Sequence, residues 1–259
     1  KIPVENMLAG RGEGFKIAMN ALNAGRIKLG VAVVDAQRRI ITGSVKYANE
    51  RIQFKTPISQ FGAIKEKIAR MAVNLYASES GSYRAASDIK DHIELLRSKG
   101  RSHQESELKG LEEFAIECSM IKVFCSEVMQ DAADDGIQIF GGMGFSADTP
   151  MESAWRDSRI GRIYEGTNEI NRMVSVGMLL KKAAKGHLEL MNPVMQVVEK
   201  VKSNQFGKLS DNSEFAQEKL LVQNIKDIFL LLTGAAFQKY GSDLEKHQMV
   251  LLGLSDILI

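Results

Sequence analysis

Proline is the residue this chain most conspicuously lacks, with four in 259 positions. A proline inside a helix removes a backbone donor and clashes with the preceding turn. Its scarcity therefore leaves room for unusually long helices. Between Gly14 and about Glu50 the apolar spacing uses that freedom. Phe15, Ala18, Met19 and Leu22 fall at i, i+3, i+4 and i+7. Ile27, Val31, Val34, Ile41 and Val45 continue one stripe, which predicts a single first helix.

Thr56-Pro57-Ile58-Ser59 interrupts the pattern, and a second long helix follows with Ile64, Ile68, Met71 and Leu75 on one face. Ser102-His-Gln-Glu105 has capping-box form for a third helix through Phe114, Cys118, Ile121, Cys125 and Val128, ending near Gly141. Thr149-Pro150-Met151-Glu152 combines an N-cap, a proline at N1 and an acid at N3. Thr167 is placed to cap a further helix bearing Ile170, Met173, Val174 and Leu180. The expected fold class is all-α: an antiparallel four-helix bundle with additional C-terminal helices. Residues 186–213 read as a looser connection. Beyond it, two more helices are expected over 213–240 and 242–259, the second opened by the capping box Ser242-Asp-Leu-Glu245. Residues 1–12 read as the tail of a strand and a turn.

A net charge of +2 gives no reason to expect nucleic acid or an anionic membrane as partner. Cys118 and Cys125 lack metal or redox spacing and read as buried reduced thiols. No apolar run approaching the roughly 18 residues of a membrane span is evident. The chain opens in an extended, proline-bearing segment and stops within an apolar helical pattern, so a fragment of a longer protein is expected.

Four local motifs carry more. Asn23-Ala24-Gly25-Arg26 lies in the first helix, and Tyr47-Ala-Asn-Glu-Arg51-Ile-Gln53-Phe54 closes it. Gln138-Ile-Phe-Gly141-Gly142-Met-Gly144-Phe145 ends the third helix. Arg156-Asp157 and Ile163-Tyr164-Glu165-Gly166-Thr167-Asn168-Glu169-Ile170-Asn171-Arg172 cover the last break. In this order and spacing, over about residues 1–185, the chain resembles the C-terminal domain of the acyl-CoA dehydrogenases. Phe61-Gly62 and Gly142-Met143-Gly144-Phe145 lean toward the very-long-chain branch.

The resemblance implies FAD-dependent α,β-dehydrogenation of acyl-CoA thioesters to trans-2-enoyl-CoA, with Glu165 as catalytic base. A thioester α-proton is weakly acidic, so its removal needs a well-placed carboxylate, and general-base catalysis typically contributes about 10²–10⁴-fold. Desolvation by acyl chain and flavin would raise that carboxylate's pKa toward a useful range. Taken alone, Glu165 is a solvated charge near a helix start. Some family members carry the base in the first helix instead; here that position is Gly25, which has no carboxylate.

By the same resemblance, Arg51 and Gln53 reach the FAD pyrophosphate and neighbouring groups of a partner subunit, a role that suits the planar guanidinium. Phe54 packs near the adenosine side. Gln138, Gly141 and Gly142 lie along adenosine and ribose, where glycine permits close backbone approach. Thr167 and Glu169 open the helix after the base, where free N–H groups favour a phosphate or ribose. Asn23 and Arg26 lie near the CoA thioester arm, and Gly166 leaves room for the thioester. No metal ligands are expected. Read alone, Arg51 is a solvent-facing helix-end arginine, and Thr167 a simple cap.

Two departures stand out: Gly62 replaces a glutamine found near the flavin in many relatives, and Glu113 an arginine that some direct to the CoA adenine. The implied layout is a remnant of a middle β-domain over 1–12, the family's helical domain over 13–190 and a helical extension over 191–259. An electron-transfer flavoprotein as acceptor, a dimer or tetramer, and a bacterial cytoplasm or mitochondrial matrix complete the expectations. The isolated chain is expected to be inactive. A non-catalytic oligomerisation module and an acyl-CoA oxidase are the competing readings.

Overall fold

The structure is a computed structural model describing residues 2–7, 10–205, 207 and 213–259. It is almost entirely helical and divides into two compact units, Lys1–Asn168 and Glu169–Ile259.

In the first unit three long helices dominate. Helix α1 spans Gly14–Glu50, α2 Gly62–Ser98 and α4 Ala115–Phe140. Their directions follow from which residues meet. Gln37 on α1 bonds Ser78 on α2, and the face of Gly30 approaches Ser82, so the pair runs antiparallel. Lys67 reaches Asp135 while Ser82 meets Cys125, so α2 and α4 are antiparallel as well. One core joins them, built on Ile40, Ala48, Met71, Met129, Ala132, Ala133 and Met151. Between α1 and α2 a two-residue hairpin, β1 (Ile52–Gln53) with β2 (Thr56–Pro57), turns through Phe54 and Lys55 at positive φ.

The shorter helices are α3 (His103–Glu113), α5 (Gly142–Phe145) and α6 (Pro150–Ile160). The expected third helix is thus two. The break falls at Phe114, whose backbone (φ −97°, ψ 25°) leaves the helical region while its ring packs edge-on against His92. The Ser102 capping box forms as read, with Glu105 N–H donating to Ser102 Oγ at 3.2 Å. Thr149 occupies the N-cap before Pro150, but its hydroxyl donates back to Met143 O at 2.8 Å rather than capping.

The second unit holds most of α7 (Asn168–Ala184), then α8 (Met191–Lys202), α9 (Ala216–Tyr240) and α10 (Gln248–Leu258). Its core gathers Val176, Phe229, Ala236, Leu244, Leu251 and Leu254.

Several expectations are corrected here. Residues 4–6 form a 3-10 turn, and no strand lies among the described residues of the stretch 1–12. The connection over 186–213 contains α8. Pro193 sits in that helix's first turn, where no intrahelical N–H bond is needed, and Val197 is buried. Ser242 opens no helix: Gly241 ends α9 at φ +53° and a 3-10 turn over Gly241–Lys246 tucks Leu244 into the core. Among the described residues, two helical stretches, Gly14–Glu50 and Ala216–Lys246, are long and apolar enough by composition to cross a membrane. Each nonetheless buries polar residues: Asn23, Arg26 and Gln37 in the first, Asp227 paired with Lys200 in the second.

Candidate active site

The segment between α6 and α7 is short and conformationally unusual. Glu165 stands at φ +58° and Gly166 at φ +81°, two successive left-handed residues. For glycine this is free, but for glutamate it is uphill by roughly 1–2 kcal/mol. Something must hold the turn, and the side chains beneath it do.

Arg26, buried on α1, donates from Nε to the carbonyl oxygen of Glu165 at 3.1 Å. Its Nη1 donates to Asn23 Oδ1 at 3.1 Å and Ser119 Oγ at 3.3 Å, which fixes the guanidinium plane. Burial lowers the Arg26 pKa, countered by Cys118 and Glu165. Lys122 on α4 is fully buried, and its Nζ donates to Gly166 O at 2.8 Å and Asn168 Oδ1 at 2.7 Å. Asn168 in turn donates from Nδ2 to Ser126 Oγ at 3.1 Å and Glu127 Oε1 at 3.0 Å. Consecutive carbonyls of the turn are therefore held by two buried cations.

Held this way, the Glu165 side chain reaches α1 at Gly25. A methyl carbon built on Gly25 would lie 2.5 Å from Cδ and Oε2 of Glu165 and 2.6 Å from Oε1. The carboxylate fills the volume that any other residue at 25 would take. Gly25 matters for the side chain it lacks.

A second group of residues lies where α1 meets the end of α4. A groove of about 510 Å³ is lined by Arg51, Gln53, Phe54, Gln138, Gly141 and Gly142, with Tyr47, Phe61 and Phe140 among its walls. Tyr47 stacks on Phe140 with ring centroids 4.1 Å apart, and Phe54 meets Phe61 edge-on at 6.2 Å. Among the described residues, no carboxylate lines the groove. Among the described residues no acid pairs with the Arg51 guanidinium. An added Cβ on Gly141 or Gly142 would meet nothing within 4 Å, so the backbone there is open to close approach.

The structure thus gathers the residues singled out from the motifs into two places. Arg51, Gln53, Phe54, Gln138, Gly141 and Gly142 share the groove, while Glu165, Gly166, Asn23 and Arg26 cluster at the turn. Thr167 immediately precedes α7 and Glu169 stands in its first turn. Asn23 and Arg26 are both buried and bonded to one another, beneath the turn rather than at an open surface. Sequence reasoning missed Lys122, Ser119 and Asn168. The one available signal was a lysine inside the apolar stretch of α4.

The family profile described as "Acyl-CoA dehydrogenase, C-terminal domain" matches residues 12–179, and a second profile of the same description matches 224–259. The chain is 42% identical over 258 residues to a probable acyl-CoA dehydrogenase of Bacillus subtilis, covering 100% of this chain and 43% of that protein. It is 38% identical over 173 residues to the mitochondrial very long-chain specific acyl-CoA dehydrogenase of mouse, covering 67% and 24%. A crystal structure of a Bacillus anthracis acyl-CoA dehydrogenase complexed with FAD superposes with a TM-score of 0.95 at 43% identity, over 99% of this chain and 44% of that one. The chain belongs to the acyl-CoA dehydrogenase family, as its C-terminal domain. It spans less than half the length of these relatives.

Proposed function

We propose that this chain supplies the catalytic base and part of the FAD site of an acyl-CoA dehydrogenase that converts acyl-CoA thioesters to trans-2-enoyl-CoA. The observation that carries the reading is the Glu165 carboxylate, seated against the bare face of Gly25 on a turn clamped from below. Rigid support is what a base needs, because proton abstraction from carbon depends steeply on approach distance and angle. Glu165 removes the proton from C2 of the thioester and becomes a neutral carboxylic acid. Gly166 keeps the adjoining space free of a side chain.

The groove suits an adenine dinucleotide in its donor set: one cation without an acid partner, two side-chain amides, aromatic walls and an exposed Gly-Gly backbone. When bound, FAD supplies the acceptor for the hydride that leaves C3 as the double bond forms. Arg51 is assigned to phosphate oxygens, Gln53 and Gln138 to polar edges, and Phe54 to an adenine face. Thr167 and Glu169, at the start of α7, are assigned to phosphate or ribose. Asn23 acts through Arg26, which orients the turn beside the thioester.

The proposed assembly is a dimer or tetramer, with electron-transfer flavoprotein as the acceptor. A bacterial cytoplasm is the proposed compartment, because the Bacillus relative matches the whole chain and the mitochondrial one two thirds of it. The proposed layout is the one read from the sequence: residues 1–12 as the end of a middle domain, the family domain over 13–190, and a helical extension over 191–259.

The test uses the complete protein. Anaerobic acyl-CoA should bleach its bound FAD, and Glu165→Gln should slow bleaching by roughly 10²–10⁴-fold. Full-rate bleaching in that variant sinks the base assignment. Rapid peroxide formation in air identifies an oxidase, and absence of flavin uptake a non-catalytic module. Arg51→Ala should weaken FAD retention by about 10- to 100-fold while leaving the bleaching rate per bound flavin unchanged, the effect of losing one charged hydrogen-bonding group.

A further inference from the structure

We infer that Lys122, with Asn168, is a positioning residue for Glu165, acting through the backbone of the turn; the inference rests on Glu165 being the base. A fully buried ammonium is a demanding group to place in a helical core, and it needs oxygen partners on every side. Two of those partners are the Gly166 carbonyl at 2.8 Å and Asn168 Oδ1 at 2.7 Å. Neither of these belongs to α4, which bears the lysine: Gly166 is the second residue of the left-handed pair, and Asn168 follows two residues later. The Asn168 amide is itself fixed by Ser126 and Glu127, both on α4 one turn along from Lys122. The ammonium and the amide thus form a cross-brace between α4 and the turn.

A bulk-packing role would be met better by methionine or leucine, which carry no desolvation penalty. The charge is explained by what it grips. Arg26 holds the carbonyl of Glu165 from α1, and Lys122 holds the next carbonyl from α4. With the carbonyls of two successive peptide units restrained, Glu165–Gly166 and Gly166–Thr167, the glutamate keeps a left-handed backbone that isolated chains avoid. That backbone directs the carboxylate to Gly25. Without Lys122 the turn relaxes toward ordinary φ, and the carboxylate moves off its line to the substrate. A displacement near 1 Å is enough to slow a reaction by about 10²-fold.

The experiment compares the complete FAD-loaded protein with its Lys122→Met, Asn168→Ala and Glu165→Gln variants in anaerobic stopped flow with acyl-CoA. Positioning predicts that Lys122→Met lowers the bleaching rate constant by roughly 30- to 100-fold. Bleaching amplitude per bound flavin and the half-saturating thioester concentration should stay within about threefold of the parent. Asn168→Ala should show a smaller loss of the same kind. A residue that only stabilises the fold would reduce the yield of flavin-bearing protein and leave the rate constant per bound flavin untouched. That pattern overturns the inference, as does failure of both variants to fold. Should Glu165→Gln retain full rate, the base assignment itself fails; should Glu165→Gln be slow and Lys122→Met fast, only the brace fails.

Discussion

At the scale of single residues, the geometry turns on small side chains being small and buried charges being matched. Gly25→Ala tests the first. Alanine is the better helix former by about 1 kcal/mol, so α1 should gain or keep stability. Its methyl would nonetheless lie 2.5 Å from the Glu165 carboxyl carbon. Bleaching should slow by at least about tenfold with no fall in melting temperature, and an undiminished rate would count against a carboxylate seated there. Cys118 tests the second. Burial, reinforced by Glu117, pushes its thiol up to about 12 from an ordinary 9.0. Below pH 9 the thiol is protonated in folded and unfolded chains alike and contributes no pH dependence. Between pH 9 and about 12 the unfolded chain releases the proton first, so stability falls as pH rises, by roughly 1.4 kcal/mol per unit for one such group. Denaturant titrations over that range should show a shallower fall in Cys118→Ala. Glu165 and Gly25 were both legible in the sequence, but not their shared space, because contact between distant segments leaves no trace in local spacing.

At the scale of elements, periodicity located the long helices well and the ends of the chain poorly. The bounds of α1 follow directly from its apolar stripe and from the hairpin after Glu50. The break at Phe114 did not announce itself, since no helix-breaking residue stands there; its ring packs on His92. Helix α8 was hidden by Pro193, which reads as an interruption unless it is known to fall in a first turn. Asp135 illustrates what joins the elements. Its buried carboxylate on α4 accepts from Lys67 and Arg70 on α2, both at 2.6 Å. Asp135→Ala should lower unfolding free energy by about 1.5–3 kcal/mol, the span typical of charged hydrogen bonds, and urea denaturation measures it directly. A loss below about 0.5 kcal/mol would mean that solvent already screens the pair.

At the scale of the molecule, this chain spans less than half the length of the relatives it matches. Its groove holds part of a dinucleotide's donor set, and its turn holds one carboxylate. Neither comprises a closed cavity for a thioester, so the chain expressed by itself should show no acyl-CoA-dependent bleaching when mixed with FAD. Bleaching by the isolated chain would require a far smaller catalytic unit than the family relationship implies. Three of the four motifs that disclosed the family reach helix ends or left-handed residues, where few residue types are tolerated, and the fourth, Asn23-Ala24-Gly25-Arg26, lies within α1 beneath the Glu165 turn. They were silent about Lys122, whose neighbours are ordinary helix residues. One consequence reaches furthest from its origin. The pocket before Gly25 admits a single occupant, so positions 25 and 165 mutate as one locus. A methyl group at 25 that is harmful beside the native glutamate becomes innocuous once Glu165→Gly has emptied the room, and measured effects of the two changes will not sum.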